Sequence, residues 1–306
     1  MDKNFSFYLL IALIAIMIIT SHSSVIFRRK INDNALDFLT PERIKETSIF
    51  KHKHKGINKN DKRNVISRNI VVPPVLSKVS PENNYPIGRL LIRLHNGNYG
   101  FCTASVINTE NGNIGITSAH CLIDANGEEY DINFMRFSPG YDNGTNGPLG
   151  IIKVEDVAIP FMFRLTNYWN DYALVKFAFN KENKTLQHYT GGLGWRFDVG
   201  NNTLTNIFGY PFTGNLENCI KDGVHLCEWE GYTQVEQKNL SIHYVISGSI
   251  HLGKGVSGGP LIFQYDRAIN LGYVYSVFMA RNNVTNESIA PIFNGKLFNV
   301  LLSLLS

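Results

Sequence analysis

The chain has 306 residues, 44% of them hydrophobic and 18% charged, with a formal net charge of +4. This composition excludes a disordered or collagen-like protein, and the length suits one two-lobed unit or two smaller domains. The positive charge is concentrated in one segment. Ser24–Asn69 has 12 Lys and Arg and 5 Asp and Glu (net +7), whereas Ile70–Ser306 has 16 Lys and Arg and 19 Asp and Glu (net −3). The larger part of the chain is therefore slightly acidic and gives no electrostatic case for nucleic acid binding.

The first residues have the layout of a secretory signal. Lys3 precedes the apolar run Phe7–Ile19, and the small polar stretch Thr20–Ser24 follows it, which predicts a signal peptide over residues 1–23. The run is short for a bilayer span of ~20 residues, and a signal anchor that is not cleaved is the alternative. We expect a protein that is secreted or held in the endomembrane lumen, with no membrane partner after signal cleavage.

Residues 24–69 combine basic clusters with little periodic apolar pattern beyond a possible short helix over Pro41–Phe50. Such a segment does not supply a core of its own and is interpreted as a propeptide. His52 and His54 stand among lysines, which repel a cation, so they do not indicate a metal site. Arg63, in a Lys-Arg pair, and Arg68 are predicted cleavage points for a processing protease.

Cysteines in the secretory pathway tend to pair. The four cysteines allow three pairings, of which we predict the local one, Cys102 with Cys121 and Cys219 with Cys227. Asn-x-Ser/Thr sequons mark candidate glycosylated surface loops. They occur at Asn143, Asn183, Asn201, Asn239, Asn283 and Asn286.

From about residue 85, short runs of β-branched and aromatic residues alternate with Gly, Asn and Asp. This spacing predicts an all-β sandwich or barrel. Two series of runs are consistent with two barrels, about residues 85–180 and 190–306, within a domain of residues 70–306. Helical spacing occurs only in residues 297–305. The runs are residues 89–94, 101–107, 114–119, 151–159 and 172–179 in the first series, and 205–210, 243–247, 260–265 and 271–279 in the second.

The stretch GKGVSGGPLI, residues 253–262, places the hydroxyl of Ser257 among glycines. A glycine-rich run is usually a solvated turn or linker. Nucleophilic acyl transfer, however, needs a hydroxyl, a base, a group that orients the base, and paired N–H donors for the developing oxyanion. Without a Cβ at Gly255 the backbone can turn so that the N–H groups of Gly255 and Ser257 converge. The run is therefore interpreted as a nucleophile with its oxyanion hole.

The candidate base is His120, which ends an apolar strand in ITSAHC beside a cysteine. The remaining histidines lie at the signal boundary, in the leader, or in polar or strand segments, and none of them ends an apolar strand beside a cysteine. Asp171 in NDYALVKF precedes a strongly apolar strand, so it is the candidate orienting carboxylate. A lone Asp before a strand is most often a turn former, and only the other two residues give Asp171 this role.

These residues, in the order His, Asp, Ser, lie in blocks that resemble the chymotrypsin/trypsin-like serine endopeptidases: FCTASVI with ITSAHC, NDYALVKF and GVSGGPLI. YPIGRLLI leading to CTASVI, and IFGYPFTGN before Cys219, resemble the glutamyl endopeptidase-like branch found in bacteria and fungi. The resemblance covers about residues 83–301. It implies an all-β fold of two antiparallel six-stranded β-barrels with a C-terminal helix.

The resemblance also implies roles for single residues. His120 would be general base and then acid, Asp171 would orient it, Ser257 would attack, and the N–H groups of Gly255 and Ser257 would form the hole. The cleft would lie between the barrels, with Ser257 on the second. The disulfide of Cys102 and Cys121 would hold the loop of His120, and that of Cys219 and Cys227 would staple a surface loop.

The sequence departs from the family in two places. Zymogen-type members have an aspartate before the serine, which pairs with the new N-terminus; Val256 cannot do so. The residues expected at the specificity pocket are His251 and Leu252 before the hole, with Tyr275 or Ser276 on the strand that follows the serine. Ordinary strand packing is the alternative for the last two. Neither a glutamate preference nor a trypsin-like preference can be carried over.

The predicted function is a secreted serine endopeptidase that hydrolyses protein or peptide substrates through an acyl-enzyme intermediate. The strand of residues 272–279 is expected to bind substrate by main-chain pairing. The alternatives are a protease-like binding protein without turnover and an enzyme that hydrolyses esters. The sequence implies no metal or organic cofactor and no nucleic acid partner.

Overall fold

A computed structural model describes residues 71–306 except residues 162, 164–169, 239–240, 249 and 283–285. The predicted signal peptide, the leader with its cleavage points at Arg63 and Arg68, and the possible helix over Pro41–Phe50 lie outside the described residues. Fifteen strands are described. They are β1 Val71–Val72, β2 Ile87–Arg93, β3 Tyr99–Val106, β4 Ile114–Thr117, β5 Arg136–Pro139, β6 Ile152–Ala158, β7 Ala173–Phe177, β8 Gly194–Arg196, β9 Thr203–Gly209, β10 Cys227–Lys238, β11 Ser241–Ile246, β12 Pro260–Asp266, β13 Leu271–Val277, β14 Ala280–Arg281 and β15 Ser288–Pro291.

The first lobe is a closed antiparallel barrel with the strand order β2-β3-β4-β7-β6-β5. Its strands place apolar side chains in the barrel interior, where Leu90, Val106, Phe137 and Phe177 are completely buried. The rings of Phe137 and Phe177 stack with centroids 4.4 Å apart. The predicted six-stranded barrel is confirmed in this half of the chain.

The second lobe is a nine-stranded sheet with the order β1-β8-β13-β12-β9-β10-β11-β15-β14. Here the structure differs from the expected six-stranded barrel, because short edge strands extend the hydrogen-bonded sheet. The sheet bends far enough for the hydroxyl of Ser276 on β13 to donate to the carbonyl of Pro291 on β15, at 2.5 Å. β1 also crosses the expected division of the chain, since it precedes the barrel in sequence yet pairs with β8.

Two α-helices and two 3₁₀ turns, Ala119–Cys121 and Ile132–Phe134, are bounded within the described residues. The short helix α1, Leu186–Thr190, was not predicted, because five residues give no periodic pattern. The predicted C-terminal helix is confirmed as α2, Gly295–Leu305, where the side chain of Asn294 accepts a hydrogen bond from the N–H of Leu297 at 3.1 Å. None of the described helices has the length and hydrophobicity that a membrane span requires.

The two lobes share one apolar cluster. The buried face of α2 packs on β6 and β7 of the first lobe, although the helix follows the second lobe in sequence. Tyr172, at the start of β7, contacts the ring of Phe293, with centroids 4.8 Å apart. Ile116 of the first lobe and Ile262 of the second belong to this same cluster and are fully buried. The packing fixes the start of β7 against the second lobe.

Candidate active site

His120 lies in a single 3₁₀ turn, Ala119–Cys121, that follows β4. The disulfide between Cys102 and Cys121 connects this turn to β3, and both cysteines are completely buried. The predicted local pairing is present for both bridges, since Cys219 and Cys227 are also joined. His120 is 5% exposed, so its position is set by a covalent bridge and by packing on all sides.

The structure brings His120 and Asp171 together, although 51 residues separate them in the chain. β4 and β7 are antiparallel neighbours with Thr117 opposite Ala173, so the end of one strand lies beside the start of the other. One carboxylate oxygen of Asp171 accepts the backbone N–H of His120 at 2.9 Å, and the other lies 2.7 Å from Nδ1 of the imidazole. Asp171 is 2% exposed.

This geometry determines the tautomer of His120. An ionised carboxylate accepts but does not donate, so Nδ1 carries the proton and donates it to Asp171. In the neutral imidazole, Nε2 is then the basic nitrogen. The pair therefore holds the imidazole in one orientation, with Nε2 able to accept a proton.

Ser257 lies in the loop between β11 and β12, which depends on glycines with left-handed backbone conformations. Gly255 has φ +92° and Gly258 has φ +80°. A Cβ on Gly255 would stand 2.2 Å from the carbonyl oxygen of Tyr210, and one on Gly258 would stand 2.3 Å from that of Thr103. Glycine is required at both positions because a side chain there meets backbone atoms.

The same loop presents unused backbone donors. Gly258 donates its N–H to Phe278 and Gly259 donates to Val256. Within the described part of the chain, the N–H groups of Gly255 and Ser257 donate no hydrogen bond. Two such donors flanking one residue can stabilise an oxygen that gains negative charge.

Several hydrogen bonds hold the His120 turn and the Ser257 loop close to each other. The carbonyl of Phe278 accepts both the hydroxyl of Ser118, at 2.8 Å, and the N–H of Gly258, at 2.9 Å. Ser118 is two residues before His120, and Gly258 directly follows Ser257. Thr103 on β3 adds two bonds, from its N–H to the carbonyl of Ser257 at 2.8 Å and from its hydroxyl to that of Gly255 at 3.0 Å.

Comparison with solved structures identifies this architecture. A thermostable serine protease, AL20, from an extremophilic microorganism is 21% identical, with a TM-score of 0.59, over 74% of this chain and 98% of that one. The protease Anisep from Arthrobacter nicotinovorans is 20% identical, with a TM-score of 0.59, over 72% and 97%. A Glu endopeptidase solved in complex with MPD is 17% identical, with a TM-score of 0.53, over 79% and 99%.

The chain has the chymotrypsin-like serine protease fold. No family model and no curated protein sequence matches the chain. The fold is thus established by similarity of three-dimensional structure, whereas the chemistry depends on the residues of this chymotrypsin-like domain.

The predicted pocket residues differ in their access to the cleft of the chymotrypsin-like domain. The hydroxyl of Tyr275 contacts those of Thr205 and Thr233 at 2.6 and 2.8 Å inside the second lobe, and burial raises the pKa of Tyr275 to about 12. Ser276 is 0% exposed and bonded to Pro291, and Leu252 is 1% exposed. Only His251 among the four is partly exposed, and it is the one that can meet a substrate directly.

Sequence reasoning missed the residues that join the two halves of the site, Thr103 and Ser118. Both lie in the blocks FCTASVI and ITSAHC, but local sequence indicates no function for them, because their partners lie 152 and 160 residues away. The side chain of Val256, the residue before Ser257, is 2% exposed and packs in the apolar core of the second lobe.

Among the residues that the structure describes, two groups of side chains have metal-ligand chemistry. His120 lies near Cys102 and Cys121, but these cysteines form a disulfide and are not thiolate ligands. His95, Asp124 and Glu128 lie within 4.8 Å of one another on the surface of the first lobe. Exposed groups of this kind are common without a metal, and nothing else at this position indicates one.

Proposed function

We propose that the chain is a serine endopeptidase in which Ser257 is the nucleophile, His120 the general base and acid, and Asp171 the group that orients His120. The observation that carries this proposal is the buried His120–Asp171 pair, with both carboxylate oxygens bonded to His120, at the cleft edge shared with the Ser257 loop. The serine protease fold of the neighbouring structures supports the same conclusion.

In the proposed reaction, Oγ of Ser257 attacks the scissile carbonyl carbon while Nε2 of His120 takes the hydroxyl proton. The carbonyl oxygen becomes an oxyanion and accepts hydrogen bonds from the N–H groups of Gly255 and Ser257. The imidazolium, stabilised by Asp171, gives its proton to the leaving amine, and the C–N bond breaks. Water then attacks the acyl-enzyme with His120 again as base, which releases the acid and regenerates Ser257.

The geometry favours a different substrate strand from the one that the sequence predicted. β13, Leu271–Val277, is an interior strand with β8 on one side and β12 on the other. β14, Ala280–Arg281, ends the sheet order and has no further strand beside it among the described residues. We therefore assign main-chain pairing with an extended substrate to β14.

A serine-reactive fluorophosphonate tests this proposal. Full-length protein cleaved after Arg63 or Arg68 is expected to form one covalent adduct, located at Ser257 by peptide mass spectrometry, and to hydrolyse a denatured protein. Ser257→Ala is the control that must abolish the adduct and hydrolysis. Absence of labelling in a folded, leader-free protein would favour the binding protein without turnover, and ester but not peptide hydrolysis would favour the esterase.

The proposal includes secretion and processing of the leader. The two disulfides fit a protein that folds in an oxidising compartment. Asn143, Asn183, Asn201 and Asn286 are exposed, which suits glycosylation, whereas Asn239 and Asn283 lie outside the described residues. Because Val256 replaces the acidic partner of a new N-terminus, leader removal is proposed to uncover the cleft and not to form an ion pair.

A further inference from the structure

A buried arginine lies close to the loop that carries Ser257. Arg89 on β2 is 4% exposed and stands directly opposite Thr103 on β3. Opposed residues of antiparallel strands share one face of the sheet. Arg89 is therefore on the same face as Thr103, which binds the carbonyl groups of Gly255 and Ser257. The proposed reaction gives this guanidinium no part, although it lies beside the contact between β3 and the nucleophile loop.

The guanidinium stacks on Phe101, the ring that lies against the same loop. Cζ of Arg89 is 4.1 Å from the centroid of the Phe101 ring. A Cβ on Gly255 would overlap this ring, so the ring is in van der Waals contact with the backbone of Gly255. Phe101 is 3% exposed. Its ring thus contacts both Arg89 and a residue whose N–H is proposed to form the oxyanion hole.

Two tyrosines hold the guanidinium and connect the lobes. Nη1 of Arg89 donates to the hydroxyl of Tyr141 at 2.9 Å, and its Cζ is 5.1 Å from the centroid of that ring. The hydroxyl of Tyr210, which follows β9 in the second lobe, donates to the carbonyl of Tyr141 in the first at 2.6 Å. A Cβ on Gly255 would also overlap the carbonyl of Tyr210. Gly255 therefore contacts Phe101 of the first lobe and Tyr210 of the second.

Burying the charge of Arg89 is costly unless other groups offset the lost hydration. Burial lowers the pKa of Arg89, and the nearby hydroxyl of Tyr141 opposes this effect. Two cation–π contacts and one hydrogen bond offset part of the cost, yet an apolar side chain would fill the space without it. The planar guanidinium must face the ring of Phe101 and the hydroxyl of Tyr141 at once, so it contributes orientation.

We propose that Arg89 and Phe101 are positioning residues for the oxyanion hole, which hold Gly255 so that its N–H points at the oxyanion. The inference rests on the proposed function. Gly255 has φ +92°, and a glycine has no side chain that restricts its own backbone, so its orientation depends on the groups packed against it. Because the oxyanion exists only after attack, a misdirected N–H weakens binding of the transition state and leaves substrate binding nearly unchanged.

Arg89→Met tests this role in the leader-free protein, because it keeps the length of the side chain and removes its charge and donors. We expect kcat to fall about tenfold with KM unchanged within about twofold, a smaller effect than the ~10²–10³-fold cost of deleting an oxyanion donor. Phe101→Leu should act in the same direction. Arg89→Lys, which keeps a cation at the ring, should recover part of the loss.

Arg93→Met is the matched control. Arg93 lies on the same strand, β2, and its Cζ is 4.5 Å from the centroid of the ring of Phe134. That ring belongs to the 3₁₀ turn Ile132–Phe134 of the first lobe, so this variant removes a similar stacked cation. It should leave kcat unchanged. Thermal unfolding shows whether each variant is folded, and equal kcat losses in Arg89→Met and Arg93→Met would overturn the positioning role.

A peptide aldehyde separates the direction of the N–H from a general loosening of the fold. Oγ of Ser257 adds to the aldehyde carbon, its proton passes to Nε2 of His120, and the former carbonyl oxygen takes the place of the oxyanion. The inhibition constant of the aldehyde should rise about tenfold in Arg89→Met, in parallel with the fall in kcat, whereas the affinity of the peptide amide of the same sequence should not change. Equal losses of affinity for the aldehyde and the amide would contradict the inference.

Fluorophosphonate labelling separates failure of this inference from failure of the proposed function. If the parent protein is labelled at Ser257 and Arg89→Met keeps the parent kcat, the positioning role is wrong and the protease proposal stands. If the parent is not labelled, the amide resonance of Gly255 gives the answer by NMR. It should shift in Arg89→Met and Phe101→Leu but not in Arg93→Met, and an unchanged resonance in Arg89→Met would rule out support of Gly255 by Arg89.

Discussion

At the scale of single residues, the buried side chain of Asp171 positions His120. Its two oxygens bind two different groups of one residue, the backbone N–H and the Nδ1 of His120. The first bond fixes the turn and the second fixes the imidazole. Replacing the carboxylate by an amide of the same shape therefore tests whether an acceptor is needed at Nδ1 of His120.

Asp171→Asn is expected to lower kcat by about 10⁴-fold, because the amide NH₂ faces Nδ1 and forces the wrong tautomer of His120. The measurement is steady-state hydrolysis, together with thermal unfolding to show that the variant is folded. Asp131→Asn provides the control, since Asp131 also accepts a backbone N–H, from Asn133 at 3.0 Å, but lies exposed on the surface. A kcat within tenfold of the parent would contradict the role of Asp171.

At the scale of secondary structure elements, the site depends on the register between β4 and β7 and on the bridge from β3. A one-residue shift in that register would reverse the faces of β7 and separate Asp171 from His120. The Cys102–Cys121 bridge adds a covalent link from the His120 turn to β3. The second bridge, between Cys219 and Cys227, closes a loop that does not carry a proposed catalytic residue.

Replacing both members of a bridge by alanine tests this difference. Cys102→Ala/Cys121→Ala opens a link between cysteines 19 residues apart in sequence, and Cys219→Ala/Cys227→Ala opens one of 8 residues. Chain entropy predicts losses in unfolding free energy of about 3 and about 2.5 kcal/mol, respectively. Denaturant titration measures both.

The effect on turnover should differ more than the effect on stability. The first double variant is expected to lose most of its kcat even where it is folded, since the His120 turn loses its link to β3. The second should retain more activity. Equal losses of kcat in the two variants would show that the bridge beside His120 contributes only to general stability.

At the scale of the whole molecule, the site exists because the two lobes are joined at its edge. Thr103 belongs to the barrel, yet its hydroxyl and N–H bind the loop that carries Ser257. The shared apolar cluster and α2 hold the lobes together over a larger area. The relative position of His120 and Ser257, the proposed base and nucleophile, is thus set by contacts between the lobes.

Thr103→Val removes the hydroxyl and keeps the side-chain volume. It leaves the carbonyl of Gly255 without this donor, so we expect a loss of about 1–3 kcal/mol in unfolding free energy, together with a lower kcat because the oxyanion donors lose a support. Thr233→Val is the matched control, since Thr233 is also fully buried and bonded, to Tyr275 at 2.8 Å, but lies away from the cleft. It should lose comparable stability with little change in kcat, and equal kcat losses in both variants would contradict the interlobe role.

Much of the fold could be predicted because its signals are local. Alternating apolar residues and turn glycines indicate strands, and the helical spacing and Asn294 indicate α2. The signals failed where an element is too short to show a period, as in α1 and β14. They also failed where tertiary packing extends a sheet, as in the nine-stranded second lobe.

The sequence by itself determined which residues are candidates for the chemistry, because a serine among glycines, a histidine beside a cysteine and an aspartate before a strand are visible without their partners. Only the tertiary structure decided which of them meet and what surrounds them. The pairing of β4 with β7 brings His120 to Asp171, and the hydrogen bonds of Thr103 bring β3 to the Ser257 loop. Such pairings depend on contacts between distant segments, which residue types and local spacing do not encode.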